Sequence, residues 1–111
     1  MTVKAGKGDD YISGSPRDDH LSGGTGCDRI DGRAGDDVVD GGQGDDNAGC
    51  ETWGGDGGLF GDGGDDTVKG GMGVDDMDGG TGTNTCEGGK GNDVGRFVLC
   101  QVCGDPDGDC P

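Results

Sequence analysis

Aliphatic residues recur at every ninth position along most of this chain. Set out in rows of nine from Ala5, the eighth column reads Ile12, Leu21, Ile30, Val39, Ala48, Leu59, Val68, Met77, Cys86 and Gly95; a two-residue insertion at Cys50-Glu51 keeps the frame. Two columns earlier stands an acid in almost every row: Asp10, Asp19, Asp28, Asp37, Asp46, Asp66, Asp75 and Asp93, interrupted by Gly57 and Asn84. The seventh column between them is mixed, from Tyr11, His20 and Arg29 to Thr85 and Val94. Acid, variable residue and aliphatic residue thus alternate with period two. That alternation predicts a short strand in each row, with the aliphatic side chain inward and the seventh column outward.

The front of each row is glycine, concentrated in the first, second and fourth columns. Glycine adopts φ > 0 without the Cβ clash that opposes it in other residues, so these positions predict a tight loop whose carbonyls turn toward a common point. Each row is then a loop followed by a strand. One row buries almost nothing, whereas stacked rows share a thin continuous core, as solenoids do.

Composition changes the picture in one respect. Leu, Ile, Val and Phe together number fifteen and the formal net charge is −16, a balance that by itself describes a disordered chain. The 31 glycines and 24 acids are placed in register, however, rather than scattered. The charge argues against nucleic acid and anionic membrane as partners and makes cations the natural ones. No apolar run is long enough for a membrane-spanning helix, Arg96-Phe97-Val98-Leu99-Cys100 being the richest stretch. The opening Met1-Thr2-Val3-Lys4-Ala5-Gly6 lacks the apolar h-region of a cleavable secretory signal, so export implies a trimmed signal or another route. Acid pairs such as Asp9-Asp10 and Asp36-Asp37 recur row after row, whereas catalysis needs one asymmetric site. With a single histidine, His20, no Ser/His/Asp constellation can form, and the chain reads as no enzyme.

The rows Gly23-Gly24-Thr25-Gly26-Cys27-Asp28-Arg29-Ile30-Asp31 and Gly70-Gly71-Met72-Gly73-Val74-Asp75-Asp76-Met77-Asp78 spell Gly-Gly-x-Gly-x-Asp-x-aliphatic-x. This pattern resembles the repeats-in-toxin (RTX) hemolysin-type nonapeptide and extends over about residues 5 to 96. The resemblance implies an all-β fold, a right-handed parallel β-roll with two nonapeptides per turn and about five turns across residues 1–96, followed by a Cys-rich acidic tail at 97–111. It further implies several calcium ions between stacked loops. Their ligands would be the carboxylates of Asp10, Asp19, Asp28, Asp37, Asp46, Asp66, Asp75 and Asp93 and loop carbonyls, with Gly8, Gly26, Gly35, Gly44, Gly64, Gly73 and Gly91 as the carbonyl candidates. Calcium takes about six to eight hard oxygen ligands, which such a set supplies. If loops stack every second row, one ladder is Asp10, Asp28, Asp46, Asp66, Asn84 and the other Asp19, Asp37, Gly57, Asp75, Asp93. Sites beside Gly57 are then expected to be weak, and Asn84 to weaken its neighbour. Ser15, Pro16 and Arg17 replace the loop glycines of row two, which is expected to misplace its carbonyls. The family implies a calcium-folded module of a secreted or cell-surface protein.

Six cysteines, Cys27, Cys50, Cys86, Cys100, Cys103 and Cys110, depart from the family's usual composition. In an extracellular setting they are disulfide candidates whose pairing is open, and Cys100-x-x-Cys103 also has chelating spacing for zinc. A disulfide- or zinc-stabilised secreted domain is therefore one alternative function. An adhesion or ice-binding solenoid is another, but its outward column would need a repeated Thr array that the mixed seventh column lacks. Asp105, Asp107 and Asp109 alternate like the start of an EF-hand loop, but the sixth-position Gly and distal Glu are missing, so the tail reads as a solvated acidic end. Trp53 replaces a loop glycine beside the insertion, where it and Phe60 are expected to cover a distorted turn.

Overall fold

In a computed structural model, the described residues are 2–44, 58–72 and 77–87, together with the backbone of 98–99 and 102–103. The elements are all strands: β1 (Thr2–Lys7), β2 (Tyr11–Ser13), β3 (His20–Thr25), β4 (Arg29–Asp31), β5 (Val38–Gln43), β6 (Gly58–Phe60), β7 (Thr67–Lys69), β8 (Met77–Asp78), β9 (Thr85–Glu87), β10 (Val98–Leu99) and β11 (Val102–Cys103). Odd-numbered strands form a parallel sheet in the order β1-β3-β5-β7-β9-β11, and even-numbered strands a second in the order β10-β8-β6-β4-β2. Successive strands alternate between the two sheets, so two strands complete one turn of a parallel β-roll.

The core is the eighth column. Ile12, Leu21, Ile30, Val39, Leu59, Val68, Met77 and Cys86 are buried, and all but Ile12 are wholly inaccessible. Register keeps them in two files: Ile12 beside Ile30 and Leu59 on one sheet, Leu21 beside Val39 and Val68 on the other. Val3 packs partly buried at the head of the second file. It lies nine residues before Ile12, so β1 belongs to a row that precedes Ala5.

Three glycine columns have three different steric reasons. A Cβ on the first-column residues Gly32 and Gly61 would stand 2.7 and 2.5 Å from Oδ2 of Asp37 and Asp66, the acids of their own rows. In the second column Gly24 (φ 97°) would thrust a Cβ into the carbonyl oxygen of Gly6 one turn back. The fourth column does the same, Gly64 (φ 110°) against Gly35. Arg33 and Asp62 take the second-column position with φ of 75° and 70°, a conformation that disfavours residues with a Cβ. Gly24→Ala is therefore expected to cost ~2–4 kcal/mol, combining a positive φ with a backbone collision. Gly6→Ala has a similar φ but nothing within 4 Å of its Cβ, so only the conformational penalty of ~1 kcal/mol applies. Thermal melts of both variants in saturating calcium measure the difference.

The register corrects one expectation. Tyr11 pairs with Arg29, a step of 18 residues, but Arg29 pairs with Gly58, a step of 29. Eleven extra residues are thus accommodated between Gly44 and Gly58, not two. The loop that stacks on Gly24 and Gly26 is that of Gly42 and Gly44, from row five. The strand that pairs with β4 is Gly58–Phe60, from row six, where a two-residue insertion would put residues 47–49. The residues give the reason. Row five has an intact glycine loop but only Ala48 for the core, whereas row six has Thr52 and Trp53 where loops need glycine but offers Leu59. Loop and strand are drawn from whichever row supplies the better one. Trp53 lies outside the described residues. Phe60 faces outward, and the Arg29 guanidinium lies 5.3 Å from the ring centroids of both Phe60 and Tyr11. Asp31 accepts from Tyr11 Oη at 2.8 Å and pairs with Arg29 at 3.4 Å, tying three rungs together beside the insertion.

Candidate metal centre

Loops stack along two edges of the roll, and each edge carries two files of carboxylates. The sixth-column acids run backward along the stack. Oδ1 of Asp28 accepts the Asp10 N–H at 3.0 Å, Asp37 that of Asp19 at 2.8 Å, Asp66 that of Asp37 at 2.7 Å, and Asn84 Oδ1 that of Asp66 at 2.8 Å. The fifth-column acids run forward. Asp9, Asp18, Asp36 and Asp65 accept the N–H groups of Cys27, Asp36, Asp65 and Thr83 at 2.8–2.9 Å. Each rung is thereby latched to the next in both directions. Alternation within columns six to eight says nothing of this fifth-column role; its signal in the sequence is the doubled acids at 9–10, 18–19, 36–37, 45–46 and 65–66.

Exposure separates the two files. Asp9, Asp18, Asp36 and Asp65 are exposed, whereas Asp19, Asp28, Asp37 and Asp66 and the amide of Asn84 are at most 4% accessible. Burying a carboxylate is costly unless donors or a cation compensate it. One oxygen of Asp28, Asp37 and Asp66 accepts the ladder N–H. Oδ2 of Asp10, Asp37 and Asp66 is buried with no hydrogen-bond donor. Burial accordingly raises the Asp37 carboxyl, and it pushes Asp66 up to about 6, with the charges of Asp37, Asp36 and Asp62 adding to the effect. A positive ion at these oxygens would reverse both influences.

The donor set fits calcium. Among the described residues no three Asp, Glu, His or Cys side chains converge on one point, so side chains alone make no cage and loop carbonyls must supply the remaining ligands. Hard oxygen donors in a mixed carboxylate and carbonyl set are what calcium takes. Asn84 marks where those carbonyls lie, because its Nδ2 donates to Gly80 O at 3.2 Å and Thr81 O at 3.3 Å within its own loop. In row two, where Ser15, Pro16 and Arg17 replace the loop glycines, the Ser15 N–H donates to Asp19 Oδ2 at 2.6 Å.

The structure brings Asp10 beside Asp28 and Asp19 beside Asp37, the pairs expected from the sequence. The expected pairing of Asp66 with Asp46 is replaced by one with Asp37. Asp66 follows Asp37, because the eleven-residue step shifts the later rows to the opposite edge, and the described ladder is Asp19, Asp37, Asp66, Asn84. Asp46, Asp75, Asp93, Gly73 and Gly91 lie outside the described residues. Gly8, Gly26, Gly35, Gly44 and Gly64 all have φ above 100°. His20 is exposed on the outward face. No helix among the described residues is long and apolar enough to cross a membrane.

A parallel β-roll with orphaned carboxylate oxygens along stacked glycine loops defines a calcium-binding structural module. The RTX calcium-binding nonapeptide repeat matches the chain in four copies, at residues 2–16, 13–48, 53–86 and 60–94, and the chain belongs to that family. No curated protein and no solved structure matches it.

Proposed function

We propose that this chain is a calcium-triggered folding module of an exported protein, disordered until calcium fills its loop ladders. The observation that carries the reading is the set of buried, donorless Oδ2 atoms of Asp10, Asp37 and Asp66. Those three carboxylates and Asp28 are the proposed ligands along the described ladders, with Asp46, Asp75 and Asp93 as their counterparts in the remaining rows. Carbonyls of the second and third loop columns complete the sites, by analogy with the oxygens that Asn84 Nδ2 reaches in its own rung. The module itself catalyses nothing.

Extracellular calcium modules bind at roughly 10⁻⁴ to 10⁻³ M. A low-calcium cytosol would leave such sites empty and the chain open for export, and the outside medium would fold it. The six cysteines suit the same compartment: among the described residues no cysteine keeps a free thiol, which supports disulfides involving Cys27 and Cys86. Calorimetric titration of the chelated chain tests the reading. Several ions per chain are expected, with a large heat of coupled folding. Absence of calcium binding at millimolar concentration would overturn it.

A further inference from the structure

The described ladder Asp19, Asp37, Asp66, Asn84 is built differently at its first and last described rungs than between them. In the middle, Asp37 and Asp66 are 1% and 2% exposed, and Oδ2 of each has no donor. At the far end Asn84, fully buried, keeps the ladder bond through Oδ1 to the Asp66 N–H at 2.8 Å. Where the acids have their second oxygen, Asn84 has an amide nitrogen, and it donates to the Gly80 and Thr81 carbonyls at 3.2 and 3.3 Å. Two N–H groups thus satisfy loop oxygens that in an acid rung would face a carboxylate across a cation.

The near end reaches the same result by the opposite means. Ser15 stands in the second column, the place of Gly24, Gly42, Gly71 and Gly80 in other rows, and turns donors rather than acceptors inward. Its N–H lies 2.6 Å from Asp19 Oδ2, and its hydroxyl lies 3.0 Å from both carboxylate oxygens. The Arg17 N–H donates to Ser15 Oγ at 3.2 Å, which occupies a lone pair there and aims the hydroxyl proton at Asp19. One end supplies donors to the carbonyls and the other supplies donors to the carboxylate. Either arrangement removes the need for an ion.

We infer that Ser15 and Asn84 are built-in replacements for calcium in their own rungs and leave the ions of the described ladder to the rungs of Asp37 and Asp66. Asn84 also sets a neutral group beside Asp66 in place of another charge. These two residues therefore fix how many ions the ladder takes.

The inference rests on the calcium reading above, and counting ions separates the two. Calcium bound per chain is measured by equilibrium dialysis on the whole protein and its variants at saturating calcium. Asn84→Asp replaces the donor with a carboxylate oxygen and is expected to add one ion. Asn84→Ala and Asp19→Asn are expected to leave the count unchanged, while Asp37→Asn lowers it by one. An unchanged count in a folded Asn84→Asp, or an ion lost with Asn84→Ala or Asp19→Asn, overturns the replacement of calcium in these rungs. Should Asn84→Asp not fold, the Ala and Asp19 variants decide. A wild-type chain that binds no calcium overturns the earlier reading instead.

Discussion

In excess chelator at neutral pH the chain is expected to lose its β far-ultraviolet spectrum, and Asp37→Asn combined with Asp66→Asn is expected to restore part of it. The first reason is how little apolar surface there is. Eight buried apolar side chains form the described core, about one per row. Against them stand carboxylates stacked on neighbouring strands, which lie ~4.8 Å apart. Two such charges repel by about 3 kcal/mol at an effective dielectric of 20. Asp37 and Asp66 are adjacent members of one ladder and both are buried, so screening by salt relieves them little. Calcium turns that repulsion into attraction, and any ligand bound only to the folded form stabilises it by mass action.

Asparagine at both positions keeps the Oδ1 acceptor that each ladder bond uses and removes both charges. It also offers the nitrogen that Asn84 uses to satisfy its loop. The double variant should hold more β-structure in chelator than the wild type while binding fewer ions in calcium. Circular dichroism with and without chelator reads both effects. A wild-type spectrum unmoved by chelator would sink the coupling of metal to fold.

How much of this molecule is legible in its sequence differs from one column to the next. The eighth column is legible outright, because a buried strand position tolerates only apolar side chains and the period is strict: every described member, from Ile12 to Cys86, is in the core. The glycine columns are legible as loops. Their separate reasons are not, since the collision of a Gly24 Cβ with Gly6 or of a Gly32 Cβ with Asp37 depends on which loops stack. Residue counting misplaces that stacking at one point. It makes the shortest insertion look best, whereas the fold weighs Leu59 against Ala48 as a core residue and Gly42 against Trp53 as a loop residue. Once Arg29 pairs with Gly58, the ladder residues that are described after it change edges, and Asp66 joins Asp37. By column alone Asn84 is a weakened acid. Its second atom is a donor, and what that donor does is visible only with the Gly80 and Thr81 carbonyls in place.

Acidification is expected to restore structure to the chelated chain. Burial raises the Asp37 carboxyl and pushes Asp66 up to about 6, from an ordinary value of 3.8. A carboxyl whose value is higher folded than unfolded binds its proton more tightly in the fold. Its contribution therefore favours folding fully below pH 3.8 and is lost as the pH rises through about 6. A carboxyl raised by one pH unit on folding changes the folding equilibrium by a factor of ~10. Allowing for solvent screening, Asp66 alone should move the metal-free equilibrium toward the fold by about tenfold between roughly pH 7.5 and pH 4.5. With saturating calcium the ion takes the proton's place at neutral pH, so the spectrum should change little until protons displace it. The measurement is ellipticity against pH in chelator and in calcium, repeated with Asp66→Asn, which should flatten the chelator curve. A chelated wild-type chain that unfolds further on acidification, rather than gaining strands, would show that buried sixth-column charge is not what holds the metal-free polypeptide open.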